Sequence, residues 1–230
     1  MNQSFFQDAA RLNNDGVTAL AEGDTETSID FLLSTVKLMK RFIAVPQQES
    51  SPSPLSNECK AEDEAEEPSS SCFHTFSTVE VSHATCDDQV FFHQAIVMPT
   101  DVEDDNTSSS WDAYVYSAAV IFNLALAHHI QGSKDKKAQD KAERLYTTIL
   151  KLLDERVGHI QSALMLKLAC INNLAHIRTE NGVFDEARDG ASQLSTLLKT
   201  TDETLFEAAE VQGLLMSVLL FKKPRVAAAA

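Results

Sequence analysis

The chain has 230 residues, 43% of them apolar, and carries 19 Lys and Arg against 34 Asp and Glu. Of its formal charge of −15, −13 falls on residues 46–110, which hold 14 acids and a single base, Lys60. This excludes a uniformly acidic surface, and it speaks against nucleic-acid binding, which needs clustered Lys and Arg.

The predicted elements begin with two helices. Phe5, Ala9, Leu12, Gly16 and Leu20 recur at intervals of three and four, and Gly23-Asp24 stops that pattern. Asp24 or Thr25 caps a second helix, whose stripe is Ile29, Leu32, Leu33, Val36, Met39 and Ile43; Pro46 ends it. Residues 1–45 therefore form a first helical hairpin.

Residues 46–110 form an acidic, Ser-rich insert. Its first part, 46–71, holds Pro52, Pro54, Pro68 and the run Glu62-Asp63-Glu64-Ala65-Glu66-Glu67. With so little to bury it is expected to be disordered. Residues 73–82 and 89–98 are β-branched or aromatic in partial alternation, and Cys86-Asp87-Asp88 suits a turn between them, so a small β-hairpin is expected. Ser51-Pro52, Ser53-Pro54 and Thr100–Glu103 fit kinase motifs, although a passive solvated loop is the expected role of the insert.

Helices resume at Ser110, a natural N-cap, and run to Gly132. The next carries Ala142, Leu145, Tyr146, Ile149, Leu152 and Leu153. A long helix over about 159–181 stops at Asn181-Gly182. Phe184, Ala187, Ala191, Leu194 and Leu198 mark another, and a last one spans about 202–221 before Pro224. Residues 111–222 thus give two further hairpins and a C-terminal helix, with 223–230 a tail. The fold class is all-α: about seven antiparallel helices and a long insert.

Three segments align: 12–20, 121–129 and 171–177. Each is followed by a turn glycine (Gly23, Gly132, Gly182) and then a small residue (Ser28, Ala142, Ala187) where two helices cross. This pattern resembles the tetratricopeptide repeat. The resemblance covers roughly 165 residues outside the insert. It departs from the family in its spacings, in lacking the aromatic early in the first helix and in lacking the Pro that ends the second.

The resemblance implies a solenoid whose first helices line a concave groove. Asn14, Asn123 and Asn173 share one motif position facing that groove, with Val17, Leu126 and His176 one turn further on. An amide offers both donors and an acceptor, so such a ladder suits an extended peptide's backbone. The competing account has each Asn bridging helices within the stack. Recognition of a partner's C-terminal carboxylate is not expected, because Ala169 and Asn173 stand where the family's cationic clamp would need Lys or Arg.

No nucleophile elbow, phosphate loop, metalloprotease or dinucleotide motif is present, so a non-enzymatic protein-interaction module without cofactor is expected. The alternative is a zinc-binding regulatory protein using Cys72, His74, His83 and Cys86 of the insert, with His93 to spare. Of His128-His129, one is expected in solvent and one between helices; Cys170 is expected as a small buried hydrophobe. Four cysteines without a framework, no secretory leader and no membrane-length apolar run point to the cytosol. Lys222-Lys223-Pro224-Arg225 complements the last helix's dipole or, as the alternative, serves nuclear import. Residues 214–221 are apolar most of the way round, which points to a homodimer through this helix.

Overall fold

The structure, a computed structural model, describes residues 3–44, 77–81, 92–100, 110–156, 161–200 and 208–222. In chain order the elements are α1 (Gln3–Ala21), α2 (Thr25–Ala44), β1 (Ser77–Glu80), β2 (Gln94–Val97), α3 (Ser110–Gly132), α4 (Lys136–Arg156), α5 (Gln161–Glu180), α6 (Phe184–Thr200) and α7 (Ala208–Lys222). Among the described residues the fold is all-α apart from one small hairpin. Each helix packs on the next, and α1, α3, α5 and α7 also touch in series. The result is a row of antiparallel hairpins with its odd helices side by side.

Local chemistry explains the breaks. Gly23 and Gly182 hold φ of 85° and 76°, a region where other residues pay a steric penalty. At each, two backbone bonds close the helix: Gly23 N to Leu20 O and Asp24 N to Ala19 O, then Gly182 N to Thr179 O and Val183 N to Arg178 O. Both are Schellman closures. Gly132 works differently. It has no positive φ; a Cβ there would lie 2.9 Å from the Gln139 Cβ and 3.0 Å from its Cα, so it is a contact glycine that lets α3 meet α4. Asp24 caps α2 by accepting from the Thr27 N–H at 3.1 Å; hydrogen bonding from the Thr27 side chain, and then from its N–H, lowers the Asp24 pKa. Asp135 accepts from the Lys137 N–H at 2.9 Å at the start of α4.

Small residues sit where the helices cross. Ser28, Ala142 and Ala187 are buried, and a Cβ on Gly16 would come within 2.9 Å of the Leu32 Cγ. One apolar cluster joins α1–α5 with Ala95, Ile96 and Met98 of the insert. A second joins Leu168 and Ile171 of α5 to Leu194 of α6 and to Leu214 and Val218 of α7. On α7, Leu215, Met216 and Leu219 remain exposed. Among the described residues, no helix is long and apolar enough to cross a membrane.

β1 and β2 pair antiparallel, with Ser77 opposite Val97 and Glu80 opposite Gln94. Of the strands expected over 73–82 and 89–98, Ser77–Glu80 and Gln94–Val97 are described as paired; residues 46–76 and 82–91, with the expected turn at Cys86-Asp87-Asp88, lie outside the described residues. Cys72, His74, His83 and Cys86 also lie outside them.

Candidate functional site

The site is built where the odd helices face the insert. α1 and α3 pack against β2, and α5 reaches the residues just before it. Three asparagines, one from each helix, hold the strand's main chain. Asn14 accepts from the Met98 N–H at 2.8 Å and donates to the Met98 carbonyl at 2.8 Å. Asn123 makes the same pair with Ile96, both bonds at 2.8 Å. Asn173 accepts from the Phe92 N–H at 2.7 Å and donates to the Phe92 carbonyl at 3.0 Å. Each carboxamide therefore satisfies both polar groups of one residue, as a neighbouring β-strand would.

The dimensions fit. Six residues of extended chain cover about 20 Å, and two steps between packed helices of about 8–10 Å each cover nearly the same. The even-numbered residues Phe92, Ile96 and Met98 turn their backbone groups to the helices. His93, on the opposite edge, accepts from the Val81 N–H at 3.0 Å, continuing the ladder to β1. So β2 has strand partners on one edge and an amide ladder on the other.

Neighbours fix the ladder's orientation. Asn13, fully buried, donates to the Ile96 carbonyl at 3.0 Å and accepts from the Asn123 Nδ2 at 2.9 Å. The Asn173 Nδ2 also donates to the Tyr146 hydroxyl at 3.0 Å. Burial pushes the Tyr146 phenol well above its ordinary pKa, so it stays protonated.

The three asparagines assigned to one motif position bond the backbone of residues 92–98 of the same chain, in place of the partner's segment expected from the sequence. Val17 and Leu126 are buried in the core cluster that also contains Ile96 and Met98. His176 lies beyond the strand, against His129: its Nδ1 is 3.1 Å from the His129 Nε2 and 3.7 Å from the Glu180 Oε2. Ala169, where a carboxylate clamp would need a cation, is buried.

Two expectations need correction or extension. His128 and His129 are both buried, so neither is the solvated histidine expected of the pair; the close approach of α3 to its neighbours covers both. Burial lowers the His128 pKa, a hydrogen bond to Gln131 opposing it. Cys170 is a buried free thiol as expected, its pKa pushed well up by burial. Sequence reasoning missed Asn13, Tyr146 and the His129–His176 contact. The Asn13-Asn14 and Asn172-Asn173 doublets were a signal for the first; nothing local marks the others.

No protein-family model, no curated protein and no solved structure matches the chain.

Proposed function

We propose that this protein is a divergent tetratricopeptide-like, non-enzymatic interaction module. Its groove holds an extended peptide by the backbone, and residues 92–98 of its own insert act as the resident occupant. The single observation that supports this is the Asn14–Asn123–Asn173 ladder, with its paired bonds to Met98, Ile96 and Phe92. Backbone contacts supply affinity in such strand addition, and pockets for alternate side chains supply selectivity. Ile96 and Met98 fill the buried positions, so a partner segment needs medium-sized apolar residues two apart. It needs no charge, because among the described residues no Lys or Arg bonds to the ladder asparagines.

A tethered occupant competes with any partner at an effective concentration of about millimolar for a short flexible linker. The resident strand thus makes the module selective by threshold: partners gain access when the insert is released. A reducing compartment, the cytosol or nucleus, suits the buried free thiol of Cys170.

The test uses the full chain with residues 90–99 replaced by a Gly/Ser linker of equal length. A free peptide of residues 89–100 is titrated in, and binding is read by calorimetry. One-to-one binding that disappears when Asn14, Asn123 and Asn173 are all changed to Ala, with helicity retained, is the expected result. An absence of binding, or equal binding to the triple variant, rejects the proposal.

A further inference from the structure

Beyond the ladder, three potential ligand atoms of side chains from two helices converge. The His129 Nε2, from the last turns of α3, and the His176 Nδ1, from α5, are 3.1 Å apart. The Glu180 Oε2, one turn after His176, is 3.7 Å from that same Nδ1, and all three atoms lie within 4.8 Å of one another. We propose that His129, His176 and Glu180 form a binding site for a borderline transition-metal dication of the zinc class.

The geometry favours a cation over a shared proton. A proton between the two rings satisfies one line only, along His129 to His176. The Glu180 oxygen stands 3.7 Å from the same ring nitrogen, too far for a hydrogen bond, so that proton does not account for its approach. Two ligands on a tetrahedral zinc at about 2.0–2.1 Å stand about 3.3 Å apart, close to the observed nitrogen separation. The Glu180 Oε2, 3.7 Å from the His176 Nδ1 and within 4.8 Å of the His129 Nε2, closes by a change of its side-chain torsions. Two imidazoles and a carboxylate are a ligand set that suits zinc, and a solvent molecule entering on the Glu180 side, 34% exposed, completes four-coordination.

The ligands also have supports. The Gln139 Nε2 donates to the Glu180 Oε2 at 2.6 Å, and the Lys136 Nζ donates to the Gln139 Oε1 at 2.8 Å, fixing which way that amide faces. The other nitrogen of His129, Nδ1, is 3.5 Å from the Tyr146 hydroxyl, which accepts from Asn173. Ligand-orienting contacts of this kind are typical of metal-binding histidines and carboxylates. His129 and His176 are largely buried, an environment in which neutral, ligating imidazoles are favoured over charged ones. The site shares no residue with the insert cysteines.

The experiment titrates chelator-treated full-length protein with Zn2+ alone, and separately with Co2+ as a spectroscopic probe. One equivalent of Zn2+ is expected to bind, with Co2+ giving a tetrahedral d–d band and no thiolate charge-transfer absorption. His129→Ala and His176→Ala should each abolish stoichiometric binding. Cys72→Ser with Cys86→Ser should leave it unchanged, and Gln139→Ala should weaken it roughly 10- to 100-fold. Should either histidine variant lose helicity, Glu180→Gln, at a half-open position, provides the same comparison. No stoichiometric Zn2+, binding that survives both His176→Ala and Glu180→Gln, or a thiolate band lost with the cysteines overturns the site.

Discussion

Replacing Asn123 by Ala tests how the strand is held. Asn123 is fully buried and makes three bonds: from the Ile96 N–H, to the Ile96 carbonyl and to the Asn13 Oδ1. The Ile96 carbonyl keeps the Asn13 Nδ2 at 3.0 Å, so it stays satisfied. The Ile96 N–H and the Asn13 Oδ1 do not. Each buried group left without a partner costs about 1–3 kcal/mol, and partial relaxation trims the pair to about 2–3 kcal/mol. If this cost falls on docking of the strand, the segment opens locally before the helices do. Hydrogen exchange at Ile96 and Met98 should then accelerate roughly 30- to 150-fold, at about 1.4 kcal/mol per tenfold. Amides in the middle of α5 should change far less. Unchanged exchange at Ile96, or equal acceleration in α5 and the strand, would refute the view that Asn123 clamps a separable occupant.

Further outcomes concern the scaffold. Gly182→Ala forces a side chain into a left-handed conformation with open space around it, so the only cost is added backbone strain of about 1–2 kcal/mol. Gly132→Ala keeps an allowed backbone but drives α3 off Gln139; overpacking of this kind costs about 1–3 kcal/mol, and it should also weaken Zn2+ binding, which Gly182→Ala should not. Melting temperatures and a Zn2+ titration compare the two. Burial lowers the pKa of His128 and, with Glu180 opposing, that of His176, so the unfolded chain takes up protons more readily. Stability is therefore full above the unfolded value of about 6.5 and falls as pH drops from there toward the lower folded values. Denaturant melts with chelator present should show this between pH 7 and 5.5, less steeply in His128→Asn; a flat or rising trend toward acid contradicts it. Cys170 should resist alkylation in the native protein and react only on unfolding, as read by peptide mass spectrometry.

Much of the scaffold was legible in the sequence because its signals are local. The stripe from Ile29 to Met39, the stop at Gly182 and the small residues Ser28, Ala142 and Ala187 each act within one turn or one hairpin. The asparagines were legible too, since a repeated motif puts them in register. Their occupant was not. Residues 89–98 read as a strand, but strand character does not say which surface a segment covers, and the Asn173 to Phe92 bond joins residues 81 apart. Gly132 misled for a similar reason: a turn glycine and a contact glycine look alike until the facing residue, Gln139, is known. His129 showed no carboxylate at helical spacing on α3; the nearby one, Glu180, within 4.8 Å, comes from α5. The last helix, expected from about 202, is described only from Ala208.

In the function proposed above, the groove reads backbone, residue by residue. Amide-to-ester exchange in the free 89–100 peptide tests it most directly, because it removes one N–H and leaves the side chains alone. The Ile96 N–H bonds to Asn123, whereas the Gln94 N–H, on the same edge by the strand register, is bonded by none of the three ladder asparagines among the described residues. An ester at Ile96 should weaken binding to the linker-replaced chain tenfold or more, about 1.4 kcal/mol, while an ester at Gln94 should change it less than about threefold. Equal losses at the two positions, or none at Ile96, would contradict the account.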